Sequence, residues 1–147
     1  MTNFQRTASW LEACGKTKTP ENLSVQIGCH IEEFAEFLEA SGFNDPLTSA
    51  SVRVIAKDLH SIAASLKSRA VQAHLKNRAG ALDALCDSEV TGNGVAYLAG
   101  FDKDGADQAV LASNDAKLVD GKPVILPGGK IGKPEGWKAP DLDKFTW

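Results

Sequence analysis

Residues 19–42 read TPENLSVQIGCHIEEFAEFLEASG. Thr19 is a favourable N-cap, Pro20 suits the first helical position, and Glu21 puts a carboxylate in the first turn, at the positive end of the helix dipole. Ile27, Ile31, Phe34 and Leu38 recur at the i, i+4, i+7, i+11 spacing of one apolar stripe. The segment is therefore expected to be an amphipathic helix from Pro20 to about Ala40, stopping near Gly42. Its stripe must be buried by other helices.

The flanking sequence supplies them. A short helix is expected over residues 5–14, with Phe4, Trp10 and Leu11 as its buried side. A third spans roughly 47–70, with Val54, Leu59, Ile62, Ala63 and Leu66 inward. A fourth covers about 77–99 and carries Leu82, Leu85, Cys86, Val90, Val95 and Leu98, until Gly100 and Asp102 break it. A fifth covers 104–116. The fold class is therefore all-α, an antiparallel four-to-five-helix bundle. From 118 onward, Pro123, Pro127, Pro134 and Pro140 with Gly121, Gly128, Gly129, Gly132 and Gly136 exclude long helices. PVILPGGKI reads as a hairpin turned at Gly128-Gly129. Val124, Ile125, Leu126, Ile131, Trp137, Phe145 and Trp147 make residues 118–147 an extended but ordered wrap, because a free linker has no use for them. The 147 residues and 15.6 kDa correspond to one domain, 1–147.

Composition narrows the classes. Hydrophobic residues at 43% and charged residues at 24% fit a globular chain. No apolar run approaches the roughly 20 residues of a membrane span, and MTNFQRTASW lacks the apolar core of a signal peptide. Cys14, Cys29 and Cys86 show no CxxC spacing, which points to reduced thiols and a cytoplasmic setting. A net charge of -3 argues against a protein that coats nucleic acid. That total hides a strong asymmetry. No lysine or arginine occurs between Lys18 and Arg53, where Glu21, Glu32, Glu33, Glu36, Glu39 and Asp45 lie. Arg53, Lys57, Lys67, Arg69, Lys76 and Arg78 then follow against the single acid Asp58.

Spacing sorts the acids by face. Glu33 and Glu36 fall about 60° apart, away from the apolar stripe, whereas Glu32 and Glu39 lie further outward. On the fourth helix Asp83 and Asp87 are an i, i+4 pair about 40° apart. That helix is apolar nearly all round, which implies burial, and two buried aspartates one turn apart need a cation. Oxygen-only ligands select Mg²⁺ or Mn²⁺. A di-iron bundle would want Glu-x-x-His, which neither helix supplies, and His30, His60 and His74 are scattered. Ordinary salt bridges are the alternative reading. Glu89 falls on an apolar side, where a hydrophobe is expected.

HIEEFAEF (30–37), DALCD (83–87), SNDAK (113–117), DGKP (120–123) and GKI (129–131) stand in this order in the sequence. With them the chain resembles the all-α nucleoside triphosphate pyrophosphohydrolases, the MazG-like and phosphoribosyl-ATP pyrophosphohydrolase superfamily. That family carries EExxE on one helix and ExxD on a later one. The likeness is to the phage-encoded branch and covers residues 20–145. It implies a Mg²⁺-dependent hydrolase that splits a nucleoside or deoxynucleoside triphosphate into the monophosphate and pyrophosphate. Glu33, Glu36 and Asp87 match the family's metal ligands and catalytic carboxylates. Asp83 stands in for the usual glutamate, since position 84 is alanine. Glu36 or Glu33 would orient or deprotonate the attacking water. Asn114 and Lys117 match a nucleotide and phosphate contact, and Lys122 is a weaker phosphate candidate. An end-of-helix Asn and Lys are also ordinary capping residues. Trp10 and Phe4 could stack on a base or simply pack. Lys57, Arg69, Lys76 and Arg78 could stabilise the leaving pyrophosphate.

The resemblance further implies a homo-dimer or homo-tetramer, no nucleic-acid or membrane partner, and the host cytoplasm for a phage-encoded chain. Its role would be to shape a dNTP pool such as dGTP or dATP. Two rivals stay open: phosphoribosyl-ATP as substrate, and a non-catalytic helical bundle that binds nucleotides or a partner protein.

Overall fold

A computed structural model describes residues 1–127 and 130–147. Among these the chain forms α1 (Asn3–Ala13), α2 (Pro20–Glu39), α3 (Pro46–Lys67), α4 (Arg78–Ala99), α5 (Lys103–Asp115), two short strands β1 (Leu118–Val119) and β2 (Lys122–Pro123), and a 3-10 turn at Asp143–Phe145. The chain is largely helical, as its periodicity requires. None of the helices among the described residues is long and apolar enough to cross a membrane. Contacts divide the chain into two compact units, Lys18–Lys76 and Met1–Thr17 with Asn77–Trp147.

In the unit Lys18–Lys76, α2 and α3 form an antiparallel hairpin. Both starts are capped as the sequence dictates: Thr19 accepts from the Asn22 N–H at 3.2 Å, and Asp45 from the Thr48 N–H at 2.8 Å. Lys67 meets Glu32 at 2.5 Å and His60 meets Glu39 at 3.2 Å, so seven residues forward on α2 match seven residues back on α3. The buried seam consists of Ser24, Gly28 and Ala35 from α2 against Ala56, Ala63 and Leu66 from α3. The expected stripe is corrected here. Ile27, Ile31, Leu38 and Leu59 are half-buried, but Phe34, Val54 and Ile62 are exposed. Small side chains let the two backbones approach closely, and large ones are displaced to the flanks of such a seam. Ser24 also accepts the Ala73 N–H at 2.8 Å, tying the segment after α3 back to the start of α2.

In the other unit, α1 opens with a capping box between Thr2 and Gln5. It meets α5 through Arg6, which donates to Asp115 at 2.7 Å and to Gln108 at 2.9 Å, and through Trp10. Phe4, expected inward, is 81% exposed. Gly100 ends α4 at φ 76, a left-handed cap that a side chain would resist.

The burial expected of α4 is not found. Ala96 is its buried residue, while Leu82, Leu85, Val90, Val95 and Leu98 are all exposed. Apolar side chains distributed around a helix cannot all be covered by one neighbour, and within this unit that neighbour is α5. Glu89 is exposed in consequence and needs no partner.

Several hydrogen bonds fix the described residues of the tail, although Ile125, Leu126 and Trp147 are exposed. The Asp102 N–H donates to the Phe145 carbonyl at 2.9 Å, fastening the 3-10 turn to the start of α5. Asp120 and Gly121, at φ 51 and 73, form the tight turn between β1 and β2. Ile125 bridges Ile131 in antiparallel fashion, and Leu126 donates its N–H to the Lys130 carbonyl at 2.8 Å. The flanks of the expected hairpin therefore pair, while its turn at Gly128-Gly129 lies outside the described residues.

Candidate functional site

The four carboxylates in the second half of α2 divide into two sets. Glu32 and Glu39, on the side turned to α3, are engaged by Lys67 and His60. Glu33 and Glu36 are exposed and enter none of the ion pairs formed among the described residues. Their crowding is felt electrostatically. Partial desolvation, then the like charges of Glu36 and Glu32, push the Glu33 carboxyl above the usual carboxylate range, against the opposing pull of Lys67 and His30. Glu32 has the reverse effect on its own partner, since its hydrogen bond holds the Lys67 ammonium firmly protonated.

Asp83 and Asp87 lie one turn apart on α4, in the other unit, and are exposed rather than buried. They too enter none of the ion pairs among the described residues. Within neither unit do three or more His, Cys, Asp or Glu side chains converge on one point among the described residues. Glu33 and Glu36 in one unit, and Asp83 and Asp87 in the other, each present two carboxylates, a donor type that suits a hard divalent cation.

The expected phosphate contacts fall at the end of α5. Lys117 donates to the Asn114 side-chain oxygen at 3.0 Å, so the structure brings this pair together. The last carbonyls of α5 are taken by indoles: Trp10 donates to Asn114 at 2.8 Å and Trp137 donates to Ser113 at 2.8 Å. Trp10 is thus a packing and capping residue. The Lys117 ammonium lies 6.0 Å from the Trp10 ring and 5.4 Å from the Trp137 ring. Burial, then the nearby Lys133, lowers its pKa, and Cys14 opposes the shift. Lys122 lies apart on β2, opposite Val119, and is exposed.

Sequence reasoning missed Trp137 and Lys133 as neighbours of Lys117. No periodicity links positions 117, 133 and 137, and only the fold of the tail joins them. Of the basic segment, Lys67 is committed to Glu32, and Arg69 lines a small depression with Glu21, Ser24, Val71 and Gln72. No family model, curated protein or solved structure matches this chain.

Proposed function

We propose that this chain is a Mg²⁺-dependent nucleoside triphosphate pyrophosphohydrolase of the MazG-like kind, with the helices of an antiparallel bundle as its frame. Glu33 and Glu36 of α2 and Asp83 and Asp87 of α4 are the cation-binding carboxylates, Mn²⁺ being an acceptable substitute for Mg²⁺. Asn114 and Lys117 contact the nucleotide and its phosphates, with Lys122 an outer phosphate contact. One observation carries the reading. The acids that match the sequence motif as ligands enter no ion pair among the described residues, while their neighbours Glu32 and Glu39 are engaged by Lys67 and His60.

The chemistry follows from charge. A triphosphate and four carboxylates repel, so the substrate approaches only with a divalent cation, which when bound neutralises the phosphates and acidifies a water. Glu36 or Glu33 orients the attacking water or accepts its proton. Water adds at the α-phosphorus and the bond to the bridging oxygen breaks, so that pyrophosphate leaves with the electron pair. Lys117 offers a cation to the departing charge. The same proposal includes a homo-oligomer, supported by the apolar side chains that α4 leaves exposed.

The test is release of pyrophosphate from each of the eight common NTPs and dNTPs, and from phosphoribosyl-ATP, in the presence of Mg²⁺. Activity on at least one nucleotide is expected, with EDTA abolishing it. Glu36→Gln and Asp87→Asn should each lower kcat/KM by about a hundredfold or more while leaving the circular dichroism spectrum unchanged. No release from any nucleotide refutes the enzyme.

A further inference from the structure

Two lysines approach one indole. The Lys133 ammonium stands 4.6 Å from the Trp137 ring and the Lys117 ammonium 5.4 Å from the same ring. Lys133 comes from the tail, sixteen residues beyond Lys117, so this convergence is a product of the fold. Neither ammonium enters an ion pair among the described residues. The acid at this end of α5, Asp115, is already held by Arg6 at 2.7 Å. Lys117 is half-buried and spends one of its donors on Asn114 at 3.0 Å.

Two like charges brought to one aromatic ring repel each other, and a cation–π contact returns only about 0.5–2 kcal/mol to each. Mutual repulsion is part of what disfavours the charged form of Lys117. A structural role alone would be served better by one lysine and one carboxylate, or by one lysine alone. An anion with several oxygens removes the repulsion and uses the donors that remain.

We propose that Lys117 and Lys133 form a two-lysine grip on a polyphosphate anion, with Trp137 fixing both stems. Lys133 is thereby a binding residue that the tail delivers to the end of α5. That the anion is the phosphate chain of a nucleotide rests on the hydrolase reading, whereas the anion site itself rests on the lysine pair.

Isothermal titration in EDTA tests it, because binding is then read without turnover. The probes are inorganic pyrophosphate and, separately, a triphosphate with a methylene bridge between its α- and β-phosphorus. Wild type is expected to bind both. Lys133→Gln should weaken pyrophosphate binding about tenfold or more, Lys133→Arg should restore it, and thermal stability should change little. The proposal is overturned if wild type does not bind pyrophosphate, or if Lys133→Gln binds it as tightly as wild type. Loss of stability with unchanged affinity makes Lys133 a tail anchor only, which also overturns it. Pyrophosphate binding that depends on Lys133, in a chain that hydrolyses no nucleotide, sustains the grip and refutes the enzyme. Hydrolysis that is indifferent to Lys133 does the opposite.

Discussion

Gly28→Ala is a stringent test of the small-residue seam. A Cβ at position 28 would lie 2.9 Å from the Leu66 Cβ, 3.1 Å from the Ala63 carbonyl oxygen and 3.2 Å from the Lys67 Cγ. The first two belong to or adjoin the α3 backbone and cannot swing aside. Helix propensity alone favours alanine over glycine by about 1 kcal/mol. Overpacking a tight contact costs about 1–3 kcal/mol. The contact wins, and a net loss of about 1 kcal/mol follows.

With a urea m-value of about 1.5 kcal/mol per M, that loss lowers the midpoint by roughly 0.7 M. Gly92→Ala on α4 is the control, since a Cβ there meets nothing within 4 Å. It should gain about 0.5–1 kcal/mol from propensity alone. The two substitutions are chemically the same and should move stability in opposite directions. Urea titration followed by circular dichroism at 222 nm reads both, and Gly28→Val should be worse than Gly28→Ala. A Gly28→Ala variant as stable as wild type, or more so, would refute the close approach of α2 and α3.

Two further outcomes are expected. The hydrogen bonds from the Thr48 hydroxyl and N–H hold the Asp45 carboxyl below its ordinary range, so its contribution is present above the unfolded value and lost as the pH falls through the lower folded one. Asp45→Asn keeps a cap without titrating; its stability should match wild type near neutral pH and decline less steeply below about pH 4, and parallel acid limbs in urea titrations would show that Asp45 is not the cap. Burial pushes the Cys14 thiol up, against the pull of Lys16 and Lys117, and leaves it 6% exposed, whereas Cys86 is exposed. A thiol reagent at pH 8 should modify Cys86 quickly and Cys14 only on unfolding, and equal rates by peptide mass spectrometry would contradict the packing of α1.

Helix limits were legible because local chemistry sets them. Thr19-Pro20-Glu21 starts α2, and Gly100 ends α4 at a positive φ. Which side chains face inward was less legible. A periodicity argument weights Phe34, Val54 and Ile62 by their size, whereas close packing in this hairpin selects Ser24, Gly28 and Ala35 for their lack of it. Helical geometry separated Glu33 and Glu36 from Glu32 and Glu39 but placed the latter two outward, whereas Lys67 and His60 of α3 engage them. The exposure of Asp83 and Asp87 did not follow from it, because burial depends on what neighbours a helix finds. Likewise Asn114 and Lys117 could be paired at i, i+3, but Lys133 and Trp137 could not be added, since a tail of turns and single bridges has no period to read.

The unit that holds α1 and α5 is discontinuous in the chain, and Arg6 must find Asp115 across more than a hundred residues. Closing so long a loop costs entropy before any contact is gained, whereas α2 and α3 meet across a short connection. On a ribosome the hairpin can therefore fold as soon as it emerges. The first helix must wait, with Trp10 and Leu11 uncovered, until α5 has been made. A folding experiment that pulses hydrogen exchange should find α2 and α3 protected early, and α1 protected only together with α5.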